Sequence, residues 1–205
     1  RGQRVSSLFQ QKKFAEAEAG SAQVLAASER LYGADHPKTL NVRADYATII
    51  LELGRTQEAI ALLERCLAGA IKVYGPDHPD AVRSKVNLGA AYAQAGNQQR
   101  AADLFREALV SREKVLGADH PDTSTTRLNL GVTLYEIGDT EGAFSACEQA
   151  LAAVLINPGP RSSTTQQVAM YVMEVYEKAK RPELAAAVKV RVQLARLEGA
   201  AAKPD

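Results

Sequence analysis

The pentapeptides Gly33-Ala34-Asp35-His36-Pro37, Gly75-Pro76-Asp77-His78-Pro79 and Gly117-Ala118-Asp119-His120-Pro121 stand 42 residues apart, twice in succession. A constant interval of that size marks an array in which one supersecondary unit recurs, and it constrains the fold more than any other feature of the chain. Laid over one another, 33–74, 75–116 and 117–158 agree at four pentapeptide columns and again at Gly54/Gly96/Gly138, Ala59/Ala101/Ala143 and Leu67/Leu109/Leu151. The glycines and small residues recur where helices must turn or touch.

Each unit reads as two helices. In Asp80 to Ala95 the apolar residues Val82, Val86, Ala90 and Ala93 recur at three- and four-residue spacing, which gives a helix A. Gly96-Asn97 interrupts it, and Gln99 to Leu116 resumes the period as helix B, with Ala101, Leu104, Phe105, Ala108 and Leu109. Glycine ends a helix at little cost because it reaches backbone conformations closed to residues with a Cβ. Proline follows where its missing N–H costs nothing, and the Asp or His before it can accept from the free amides of the first turn. The pentapeptide is therefore a stop, a turn and a start.

The flanks extend the array. Lys13-Phe14-Ala15-Glu16-Ala17 lies one period before Arg55-Thr56-Gln57-Glu58-Ala59, so Phe14 to Tyr32 is expected as a helix B whose helix A is cut short near residues 4–11. Beyond the third copy, Asn157-Pro158-Gly159-Pro160 interrupts the chain and Ser162-Ser163 replaces His-Pro. Thr164 to Lys178 and Pro182 to Leu197 then resume as a degenerate pair. The expected organisation is one array over 1–198: a truncated leader over 1–32, full repeats over 33–74, 75–116 and 117–158, and a capping repeat over 159–198. A flexible tail is expected over 199–205.

Composition excludes several functions. Lys plus Arg number 25 against 24 Asp plus Glu, so no global field would hold nucleic acid or an acidic membrane. No apolar stretch approaches the roughly 18 residues that span a bilayer. Two cysteines, Cys66 and Cys147, make no disulfide framework and point to a reducing, cytoplasmic compartment. The chain opens on Arg1, without an initiator Met or a signal-peptide pattern, and is expected to be cut from a longer protein. His36, His78 and His120 occupy equivalent places in successive units, at least about 10 Å apart. Zinc ligands must converge at about 2 Å from one ion, so no metal site is expected and each His should order its own turn. No strand-borne phosphate loop and no Ser/His/Asp constellation is legible, so neither catalysis nor a cofactor is expected.

With Gly89/Gly131, Ala59/Ala101/Ala143 and Ala108/Ala150 at the helix contacts, the unit resembles the tetratricopeptide repeat in the 42-residue form of kinesin light chain. Val86-Asn87-Leu88-Gly89 and Leu128-Asn129-Leu130-Gly131 match the family's core, whereas Ala44-Asp45-Tyr46-Ala47 departs from it. The resemblance implies an all-α fold: a right-handed α-solenoid of antiparallel helix pairs, with helices A on the concave side. It also implies that the concave wall is built from the column Asp45, Asn87 and Asn129. The columns beside it hold Asn41, Arg83 and Thr125, then Thr48, Ala90 and Val132, with Glu52, Gln94 and Glu136 farther along.

An asparagine donates and accepts at once, so a ladder of them can hold the backbone of an extended peptide whatever its side chains. The same residues could equally tie neighbouring helices together. Arg83 alone cannot form a carboxylate clamp, and Asp45, Glu52 and Glu136 disfavour acidic cargo, so a neutral or basic segment with apolar anchors is the expected ligand. Tyr135, Met170 and Tyr171 are either an apolar pocket or scattered core and surface residues. The function expected is non-catalytic binding of a protein or peptide, with homo-oligomerisation through the terminal repeats, or service as a regulatory region of a larger signalling enzyme, as alternatives.

Overall fold

The pentapeptides fall between helices, as their chemistry requires. In the computed structural model, which describes residues 2–201 and the side chains of residues 17–198, the elements are α1 (Gly2–Tyr32), α2 (Pro37–Glu52), α3 (Thr56–Tyr74), α4 (Pro79–Gln94), α5 (Gln98–Leu116), α6 (Pro121–Glu136), α7 (Thr140–Ile156), α8 (Ser163–Lys178) and α9 (Pro182–Ala201). All are α-helices and no strand occurs among the described residues. The fold is an all-α helical repeat. None of the described helices is long and apolar enough to cross a membrane.

The helices α2, α4 and α6 start in one way. The glycines that close α3 and α5 have φ of +88° and +90° with ψ near 160°, a region open essentially to glycine alone. Three residues on, His36, His78 and His120 are extended N-caps whose Nδ1 accepts from the amide two residues ahead at 3.2, 3.2 and 3.1 Å. Proline supplies the first helical residue each time, where no amide partner is needed. The histidines therefore order their own turns.

One expectation needs correction, at the leader. Toward the carboxyl end the period holds through 157–160: Gly159 falls in the Gly117 column with φ +97°, and Ser162 falls in the His120 column, where it stands for histidine. Ser162 is the N-cap of α8, its Oγ accepting from the amides of Thr164 and Thr165 at 3.1 and 3.4 Å. Lys180 stands in the column of Gly138 and takes the left-handed conformation at φ +58°. At the other end no separate helix A precedes a helix B. The helix α1 is continuous, because Lys12 occupies the column of Gly54 and nothing there forces a turn. At the carboxyl end α9 continues to Ala201, and residues 202–205 of the expected tail lie outside the described residues.

The chain divides into two units, Arg1–Gly96 with α1 to α4 and Asn97–Asp205 with α5 to α9. In the first, Arg43 of α2 is buried and its Nη2 donates to Glu29 at 2.6 Å and to the Ala34 carbonyl at 3.1 Å, while Thr39 donates to the Ser28 carbonyl at 3.2 Å. Between α2, α3 and α4, Leu40, Ala70 and Ala81 form an apolar cluster with Tyr74 packed against it. Lys72 of α3 reaches back to Asp35 of the turn at 2.6 Å.

In the second unit Arg127 repeats the arrangement, donating to Glu113 and to the Ala118 carbonyl. The helices α6 and α7 come so close at Gly131 that a Cβ there would meet Cys147 Sγ at 3.0 Å and the Ala143 carbonyl at 3.2 Å. The core then runs through α7, α8 and α9 as Leu151, Val154, Val168, Val172, Ala185 and Val188. Tyr176 packs edge-on to Phe144 and donates to Glu148 at 2.6 Å. Burial, helped by that carboxylate, raises its phenol well above the ordinary value.

Candidate functional site

Residues four, seven and eleven apart share a helix face, so the candidate columns form one strip on each helix A. On α2 the inward face is Thr39, Leu40, Arg43, Ala44, Ala47 and Ile50, all buried. Asn41, Asp45, Thr48 and Glu52 lie on the other face and are exposed. On α4, Arg83, Ala90 and Gln94 are exposed and Asn87 is half-buried. Arg83 Nη2 donates to Asn41 Oδ1 at 2.7 Å and to Asp80 Oδ1 at 2.8 Å, so it ties α4 to α2 along the strip. Thr48 donates to the Ala44 carbonyl of its own helix at 3.1 Å.

The strip in the second unit has a different character. Thr125 is exposed and donates to the Pro121 carbonyl at 2.9 Å; Asn129 and Val132 are half-buried, and Glu136 is exposed. Because the period persists, α8 carries the strip onward as Gln167, Tyr171, Glu174 and Lys178, all exposed. Sequence reasoning reaches only Tyr171 among these. The signal for the others is the unbroken interval of 42 residues from Gly117 to Gly159, which sets α8 in register with α6. Between α6 and α8 a cleft of about 80 Å³ is lined by Val132, Tyr135, Glu136, Tyr171, Glu174, Val175 and Lys178. Met170 is exposed outside it. Lys178 Nζ sits 3.0 Å from Glu174 and 3.9 Å from Glu136, and its hydrogen bond to Glu174 holds the ammonium above its usual range.

Asn87 and Asn129 differ from their neighbours. Each is half-buried at the middle of its strip, and among the described residues neither side-chain amide makes a hydrogen bond. The helix-tying role falls instead to Arg83 with Asn41, and to Lys178 with Glu136. An amide so placed offers a donor and an acceptor at once to an incoming main chain.

The thiols offer no nucleophile at neutral pH. Cys66, donating to the Leu40 carbonyl at 3.6 Å, and Cys147 are both buried; burial pushes their pKa values up to about 11 and about 12. Among the described residues no three His, Cys, Asp or Glu side chains gather where they could hold a metal ion.

Comparison with known proteins agrees with this architecture. The tetratricopeptide repeat family matches residues 2–71 and 43–109, and again residues 123–153 through a second form of the repeat. No curated protein matches the chain by sequence. Among solved structures, a putative kinesin light chain with nearly identical TPR-like repeats from Podosopora anserina is similar at a TM-score of 0.78 and 22% identity, over 94% of this chain and 91% of that one. BtubC (BKLC) from P. vanneervenii is similar at 0.76 and 22%, over 96% and 78%. Bacillus thuringiensis PlcR, solved in complex with the peptide PapR7 and DNA, is similar at 0.66 and 18%, over 94% and 67%.

Proposed function

Because the chain belongs to the tetratricopeptide repeat family, whose repeats generally mediate protein–protein interaction, we propose that its helix A faces bind a peptide segment or partner domain of another protein, without catalysis of their own. The observation that carries this reading is the pair of half-buried amides, Asn87 and Asn129, without hydrogen bonds among the described residues and set in strips whose other polar residues are exposed. Around Asn87 the first unit offers Asn41, Asp45, Thr48, Arg83 and Ala90. Around Asn129 the second offers Thr125, Val132 and Glu136. The cleft beside Tyr135 and Tyr171 suits an apolar anchor of the ligand. PlcR, similar in fold, is a protein solved with a peptide bound, which supports the ligand class.

The repeats are taken as 33–74, 75–116 and 117–158, with 159–198 as the last. The buried, unpaired thiols suit the cytoplasm. A displayed library of random heptapeptides, selected on the immobilised chain, tests the reading. Selected peptides should bind the Asn87→Ala, Asn129→Ala variant at least tenfold more weakly, with helix content and melting temperature unchanged. Equal binding by that variant removes the helix A faces as the site.

A further inference from the structure

The last helix carries an apolar strip on its outer side. Val190, Leu194 and Leu197 of α9 are 57%, 52% and 57% exposed. Their spacing of four and three places them on one face, over roughly 10 Å of helix. The inward face of α9, with Ala185, Val188 and Val192, is buried in the core.

At two of its three positions the equivalent columns in the other helices B are mainly polar or small where α9 is apolar. The column of Val190 holds Glu64, Arg106 and Glu148, and that of Leu194 holds Ala68, Val110 and Ala152, whereas that of Leu197 holds Ile71, Glu113 and Leu155. Glu64, Arg106, Ala68, Val110 and Ala152 are exposed even though another helix pair follows theirs in the chain. A further repeat would therefore leave most of this strip uncovered.

The charges beside the strip favour one occupant. Arg191 and Glu198 flank it on the same side, seven residues apart, and Arg191 is fixed in place by Glu148. A twofold axis across the helix reverses its direction while keeping that side in register with itself, as an isologous contact does. Glu198 of one copy then meets Arg191 of the other, and the two Leu194 side chains meet at the centre. A parallel pairing would lack this match. We propose that α9 pairs antiparallel with α9 of a second copy of this chain, about an axis near Leu194. This interface is independent of the helix A faces.

Sedimentation equilibrium at 50 µM tests it. The chain should be a dimer, Leu194→Glu a monomer of unchanged helix content, and Glu198→Lys should raise the dimer dissociation constant about tenfold at low salt. Cysteine placement fixes the geometry, since the native thiols are buried. Leu194→Cys should cross-link to itself under copper-phenanthroline. Ala187→Cys should not, because antiparallel pairing leaves its two copies roughly 20 Å apart along the helices. A monomeric wild-type chain, a dimeric Leu194→Glu, or self-cross-linking at both positions would overturn the proposal.

Discussion

The turns that open α2, α4 and α6 and the turn that opens α8 reach the same backbone with different side chains. In the first three, a histidine ring caps the helix and proline begins it; two of the rings also stack on a tyrosine, His78 on Tyr74 at 4.3 Å and His36 on Tyr32 at 4.9 Å. In the fourth, a serine hydroxyl takes the cap and no proline follows, yet its φ and ψ of −67° and 147° match the −65° and 142° of His78. The buried threonine donates alike in both settings: Thr123 to the Gly117 carbonyl at 2.9 Å and Thr165 to the Gly159 carbonyl at 2.6 Å. What persists is the set of hydrogen bonds that a helix start needs, not the residues that first advertise it.

Substitutions can break or sharpen that comparison. Gly75→Val should cost the most, about 2–3 kcal/mol by urea unfolding, because φ +88° with ψ 164° is closed to a β-branched residue although nothing lies within 4 Å of the added Cβ. Thr165→Val should cost about 1–2 kcal/mol, since its hydroxyl donates to the Val154 and Gly159 carbonyls in a fully buried site. Ser162→Ala and His78→Ala should each cost about 1 kcal/mol as lost caps. A larger loss for His78→Ala, read from the same unfolding curves, would measure the ring stack that Ser162 lacks. The smallest effect has the opposite sign: Lys180→Gly should raise stability by about 0.5–1 kcal/mol, because φ +58° strains a residue with a Cβ.

The strips show the same division between what local pattern encodes and what it does not. Helix period alone sorts Asn41, Asp45 and Thr48 from the buried face of α2, and the constant interval finds the pairs, because glycine and proline act through backbone sterics that any context must respect. Lys180 gives no such warning, since a lysine carries no signature of left-handed backbone. The leader misleads for the reverse reason: the helix B pattern is present, but the glycine that would cut α1 is not. The ties from Arg83 to Asn41 and from Lys178 to Glu136 are illegible in the sequence because they depend on how closely neighbouring helices lie. That Asn87 and Asn129 make no such tie is equally illegible, because it depends on the partners that packing brings within reach.

The two buried guanidinium groups have a further consequence, for local motion. Each joins a helix A to the loop carbonyl and glutamate that precede it, and the Nε atoms of Arg43 and Arg127 have no acceptor among the described residues. Fraying of either loop would take a carbonyl acceptor from a desolvated cation whose counter-charge sits on the preceding helix, a cost above that of opening an ordinary turn. The amides of Leu40 and Ser124 should accordingly show strong protection in hydrogen–deuterium exchange, out of proportion to their nearness to a chain reversal.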